Sequence, residues 1–157
     1  MKYAIIFLFC LSGLFSRGQE LKLSQLKSFI GQPVSSVTDS LTHHQWVVRP
    51  ELSGEQGKQL YKTFSYGNHE SEKSKALSWF RIHADDEVIN QLYYQLNGPE
   101  PYNLILKEIK LAGTEKKDTQ DIDNKQISTY YISNDYIFQT ITGNDSYTVM
   151  VMPNKQP

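Results

Sequence analysis

Cysteine is almost missing from this chain: 157 residues hold one, Cys10, and it lies within an apolar N-terminal run. A chain cleaved after that run keeps no thiol. Disulfide staples, thiolate metal ligands and a cysteine nucleophile are then excluded, even in a compartment that would permit disulfides. Glycine-rich phosphate loops, a Gly-x-Ser-x-Gly elbow and any Cys/His metal pattern are also missing. No cofactor and no metal are expected on these grounds. Basic residues form no patch or stripe, so nucleic acid is not an expected partner.

The N-terminus gives the destination. Lys2 is followed by a nearly unbroken apolar run from Tyr3 to Phe15, then Ser16, Arg17 and Gly18. Cleavage before Gln19 would put small residues at the −3 and −1 positions, the layout of a secretory signal peptide over 1–18. The run is too short to span a bilayer comfortably, so no transmembrane helix is expected once it is removed. Phe7, Leu8 and Phe9 precede Cys10, bulky where a lipobox needs small residues, which disfavours lipid anchoring. The expected location is the periplasm or the medium. Removing Lys2 and Arg17 leaves 14 basic and 17 acidic residues, a charge of −3 on 139 residues. That length makes one domain, 19–157, with room for a real core.

Aromatics are plentiful, ten Tyr and seven Phe, which favours sheet over a helical bundle. Ser24 before Leu26, Phe29 and Ile30, with Gly31 after, predicts a short helix. Pro33 followed by Val34, Val37, Leu41 and His44 at spacings of three and four predicts a second, to about residue 44. A strand is expected from Trp46 to Pro50 and a loop over 51–58. Segments 60–66, 76–83 and 88–96 read as strands, the last two joined by a loop over 84–87. A third helix starts near Pro101, with Tyr102, Ile105, Leu106 and Ile109 as its stripe and Gly113 as its stop. Residues 115–125 read as a charged loop, with strand starting near its end. Three strands then follow, separated by SND (133–135) and GNDS (143–146). The pattern is two helix-then-β-meander units, near 21–96 and 100–152. It predicts an α+β domain: an antiparallel sheet of about six strands with two or three helices on one face.

Few segments suggest chemistry, and each has a structural explanation. HADDE (83–87) sets a histidine beside three carboxylates, but Asp85 and Asp86 fall at a hairpin tip, where Asp is favoured for its bonds to nearby backbone N–H groups. His43 and His44 are adjacent, a poor chelating pair on a helix, and the zinc-protease spacing is missing. SQLK (24–27) matches Ser-x-x-Lys without the companion elements of penicillin-recognising enzymes. DIDN (121–124) begins like a calcium loop, yet lacks the glycine at position six and has Ile132 at position twelve. What remains is the aromatic content of the strands. Trp79, Tyr93, Tyr94, Tyr130, Tyr131 and Tyr136 are the candidate contact residues, since adjacent tyrosines on a strand point to opposite faces and some rings must leave the core.

The layout resembles that of the β-lactamase inhibitory protein family, whose tandem helix-plus-meander units form a sheet that grips a partner protein. The opening FIGQPVSSVTDSL (29–41) also looks like openings in outer-membrane-assembly lipoproteins of the SmpA/OmlA type, where an apolar-Gly-x-x segment leads into a helix. The resemblance covers topology over most of the chain and transfers no functional residue. The expected function is an exported, non-enzymatic binding module, monomeric or weakly self-associating, that holds a protein partner through an aromatic sheet face in an inhibitor, immunity or envelope-assembly role. The alternative is a small envelope hydrolase, or a small-ligand or sugar-binding protein, using a cleft near His83 or His44. A hydrolase needs one of these histidines within hydrogen-bond reach of a carboxylate.

Overall fold

The computed structural model describes residues 20–67, 76–122 and 126–154. The leader with Cys10, His69, and Asp123 and Asn124 of DIDN lie outside the described residues. Two helices open the described chain, α1 (Leu23–Phe29) and α2 (Val34–His43). Short strand β1 (Val47–Val48), a 3-10 turn at Pro50–Leu52 and β2 (Gly54–Gln56) follow. Next come β3 (Gln59–Tyr66), β4 (Ser78–Asp85) and β5 (Val88–Leu96). Helix α3 (Pro99–Leu111) then leads into β6 (Glu115–Ile122), β7 (Gln126–Ile132), β8 (Tyr136–Thr142) and β9 (Tyr147–Pro153).

The strands make one antiparallel sheet in the order β1-β3-β4-β5-β9-β8-β7-β6, with β2 paired to β3. Each meander ends on the strand that meets the other, β5 against β9, so the two helix-then-meander units join at the centre of the sheet. Nine strands replace the six expected. β1 falls inside the strand expected over 46–50, whereas β2 lies in the segment 51–58 read as a loop and is too short to show an alternating pattern. Strand β6 corrects the charged-loop reading of 115–122. Its sequence EKKDTQDI has poor β propensity, but it lies at the end of the strand order and takes its ladder from β7. Exposed Glu115, Lys116 and Lys117 suit an edge strand that must not recruit another chain.

The helices all pack on one face. Leu23, Leu26, Val34, Val37 and Leu41 from α1 and α2, with Tyr102, Ile105 and Ile109 from α3, close over Phe64, Phe80, Ile82, Leu92, Phe138, Val149 and Val151. Trp46 is sealed between them, its ring centroid 6.0 Å from Phe80 and 6.1 Å from Tyr94. Burying an aromatic or branched side chain stabilises by about 1.5–3 kcal/mol, so this layer is what holds the sheet. The link between α1 and α2 is itself tied to the β4–β5 hairpin: Gly31 N–H donates to the Ile89 carbonyl, Ile89 N–H to Gln32, and Val34 N–H to Glu87. Gly31 has φ of +80°, which closes this turn without a Cβ clash.

His44 departs from expectation. It lies exposed beyond the end of α2, its Nδ1 2.7 Å from the Ser40 carbonyl, rather than on the apolar stripe. Gln45 turns the chain through a left-handed conformation (φ +65°), and Trp46 takes the core position beyond the helix.

Candidate functional site

Strand alternation leaves a second face on which no helix packs among the described residues. Register places its side chains in three rows. The longest runs Thr63, Arg81, Tyr93, Met150, Gln139, Tyr130, across β3, β4, β5, β9, β8 and β7. Beside it lies Ser65, Trp79, Gln95, Thr148, Ile141, Ser128. On the other side sits Tyr61, His83, Gln91. At the β3–β5 end these rows enclose a concavity of about 540 Å³, with Trp79, Arg81, His83, Tyr93, Gln95 and Thr148 in its lining. Leu52, carried by the 3-10 turn, folds over its rim.

Parity decides which candidate aromatics belong here. Trp79, Tyr93 and Tyr130 stand on this open face. Tyr94 and Tyr131 do not: they are 1% and 7% exposed, packed under the helices. Tyr136 is half-buried on the helix side, with the Lys27 ammonium 5.0 Å from its ring centre. Tyr94, Tyr131 and Tyr136 are therefore packing residues, because successive strand residues face opposite ways and these three share the parity of Phe80 and Phe138. Sequence reasoning had no means to tell which member of Tyr93–Tyr94 or Tyr130–Tyr131 faces in.

It also missed the polar centre of the site. Arg81 Nε donates to Thr63 Oγ1 at 2.9 Å, and Thr63 Oγ1 donates to the Leu52 carbonyl at 2.7 Å. Arg49 Nε donates to Ser65 Oγ at 2.7 Å. Thr63 and Ser65 are buried, so two hidden hydroxyls on β3 hold two guanidinium groups. The segment 49–53 completes this corner, with Ser53 Oγ donating to the Arg49 carbonyl and accepting from Thr63 N–H. A pair of hydroxyl residues at alternate strand positions, T-x-S at 63–65, was the one available signal.

The rings are stacked around Arg81. Its guanidinium lies 5.7 Å from the centre of the Tyr61 ring, and the His83 ring centre is 5.2 Å from Tyr93 and 6.1 Å from Tyr61. Burial, then the charge of Arg81, lowers the His83 pKa below the ordinary 6.5, which favours the neutral imidazole. Its Nδ1 is buried and makes no hydrogen bond. Tyr93 accepts a hydrogen bond from Gln91 Nε2 at 2.7 Å, and burial raises its pKa.

HADDE resolves as a turn. Asp85 ends β4 and pairs with Val88, leaving Asp86 and Glu87 as a two-residue loop with φ of +48° and +64°. Asn90 Nδ2 donates to Asp85 Oδ2 at 2.6 Å. Among the described residues, no three His, Cys, Asp or Glu side chains are placed to hold a metal ion. The start of DIDN lies in β6, where Asp121 pairs with Ile127. Among the described residues, no Asp or Glu lines the concavity beside His83.

Comparisons with known families, with curated proteins and with solved structures find no match for this chain.

Proposed function

We propose that the chain is an exported, non-enzymatic binding module that holds a protein partner on the open face of its sheet. One observation carries this reading: the face on which no helix packs among the described residues presents Trp79, Tyr93 and Tyr130 on a central sheet, around a concavity of about 540 Å³. Tyr, Trp and Arg are the residues on which interface energy concentrates, and here they are held by cross-strand neighbours. The signal-like leader supports export, and the likeness in layout to β-lactamase inhibitory proteins is compatible with an inhibitor role. A small ligand in the same concavity is the second reading, favoured by a volume within the range of small-molecule sites.

The test is capture by immobilised protein from envelope and culture fractions, repeated with Trp79→Ala, Tyr93→Ala and the control Leu104→Ala. Leu104 is 60% exposed on α3, away from the open face. One salt-resistant protein should be retained by wild type and by Leu104→Ala and lost by the open-face variants. Equal capture by all of them, or none by folded wild type, rejects the reading.

A further inference from the structure

The chain carries three arginines, at 17, 49 and 81, against thirteen lysines. Both arginines of the described residues stand on the open face, fixed through Nε by hydroxyls two positions apart on β3. Two residues along a strand span roughly 7 Å, so the guanidinium groups are neighbours on one face. Using Nε for the anchor leaves the paired Nη edge, the edge that meets two oxygens in parallel. Among the described residues, neither guanidinium has a carboxylate partner and neither Nη edge has a hydrogen-bond acceptor. Removing a cation from bulk water without a counter-ion is costly, so a half-buried and immobilised arginine with an unused edge is arranged for an anion that arrives from outside.

We propose that the concavity receives a carboxylate presented on an apolar body: an acidic side chain or chain terminus of the partner protein, bound end-on by Arg81. This rests on the protein-binding reading above and names the group that reading must supply. Among the described residues, the lining contains one fixed cation, Arg81, and no Asp or Glu, which matches a monoanion better than a phosphate dianion. Gln95 and Thr148 add neutral donors at the same wall. Trp79 and Tyr93 offer ring surface to the apolar body, and the Leu52 rim closes over it. Arg49 lies outside the lining and adds positive potential beside it, which steers an acidic partner toward this end of the sheet.

The test uses purified protein with N-acetylphenylalanine as the carboxylate probe and N-acetylphenylalaninamide as its neutral twin. Binding is followed by the Arg81 Nε–H and Trp79 indole N–H signals in nitrogen-edited NMR spectra. The acid should shift both, with affinity about 10-fold above the amide, the size of a charge-assisted bidentate pair. Arg81→Gln should abolish that preference, and Arg81→Lys should restore only part of it. If Arg81→Gln unfolds, Gln95→Leu with Thr148→Val tests the same wall and should narrow the preference. Excess acid should also displace the partner captured in the experiment above. Equal affinity for acid and amide, or no shift with acid up to its solubility limit, overturns the carboxylate pocket while leaving the partner capture standing. Acid binding with the partner undisplaced overturns the partner as its source. Acid binding with no captured partner rejects the protein-binding reading instead.

Discussion

Thr63 Oγ1 sits between two groups: it accepts from Arg81 Nε at 2.9 Å and donates to the Leu52 carbonyl at 2.7 Å. One hydroxyl thereby ties the 3-10 turn, β3 and β4 together and aims the guanidinium. Thr63→Val keeps the β-branched shape but removes both hydrogen bonds. It should lower unfolding free energy by about 1–3 kcal/mol, seen as a lower urea midpoint with an unchanged slope. It should also weaken the acid-over-amide preference. An unchanged midpoint would show that water replaces the hydroxyl and that the turn is held by other contacts.

His83 makes stability depend on pH in a defined direction. Its folded pKa lies below the ordinary 6.5, chiefly through burial and secondarily through Arg81. Between that lowered value and 6.5, the unfolded chain binds the proton and the folded chain does not. Stability therefore falls as pH drops through this window and is fully recovered above 6.5. His83→Gln should remove this component, flattening a plot of urea midpoint against pH from 5 to 7.5 (about the range a histidine covers). An identical slope in the variant would assign the acid sensitivity to other groups.

Tyr94 should behave as a buried phenol. Its oxygen accepts from Leu21 N–H at 3.4 Å, and burial pushes its pKa up to about 12. From pH 10, where an exposed tyrosine ionises, to 12, the unfolded chain loses a proton that the folded chain keeps, so stability declines across that range. Burial also raises the pKa values of Tyr93 and Tyr131, so in an alkaline absorbance titration several tyrosines should ionise late, and Tyr94→Phe should remove the step near pH 12. The same substitution should cost about 0.5–1.5 kcal/mol near neutrality, because the hydrogen bond is lost while the ring packing stays. Complete ionisation near pH 10 without unfolding would place Tyr94 outside the core.

How far the sequence foretold this arrangement depends on whether the signal was local. Helices α2 and α3 were legible because Val34, Val37 and Leu41, and Tyr102, Ile105 and Ile109, repeat at helical spacing. The central strands were legible because Trp79–Phe80–Arg81–Ile82 and Leu92–Tyr93–Tyr94 combine β-favouring types with turn residues outside them. Strand β6 was not, since its ladder is supplied by β7 and nothing in EKKDTQDI announces it. The open face was half legible for a related reason. Strand alternation puts Trp79, Arg81 and His83 on one side of β4, but no local rule says which side the helices will cover, and an adjacent tyrosine pair reads the same either way. The anchoring of Arg81 by Thr63, and of Arg49 by Ser65, joins residues 18 and 16 apart. Such pairs follow from register, which is a property of the whole sheet.

The β4–β5 turn carries a cost that a substitution can recover. Asp86 and Glu87 hold φ of +48° and +64°, in the left-handed region that side chains other than glycine or asparagine occupy at a penalty. A two-residue hairpin loop of this hand favours Asn-Gly. The turn is not free to relax, because the Glu87 carbonyl accepts Val34 N–H at 2.9 Å and so docks the start of α2 on the hairpin. That bond uses only backbone, and a change of side chain leaves it intact. Asp86→Asn with Glu87→Gly should therefore raise stability by about 1 kcal/mol, the strain relieved exceeding the entropy that glycine adds to the unfolded chain. Thermal melts should show the gain as a higher Tm with no change in partner capture, since neither side chain lines the concavity between β3 and β5. A lower Tm would mean that the Asp86 or Glu87 side chain contributes more to the turn than its backbone strain removes.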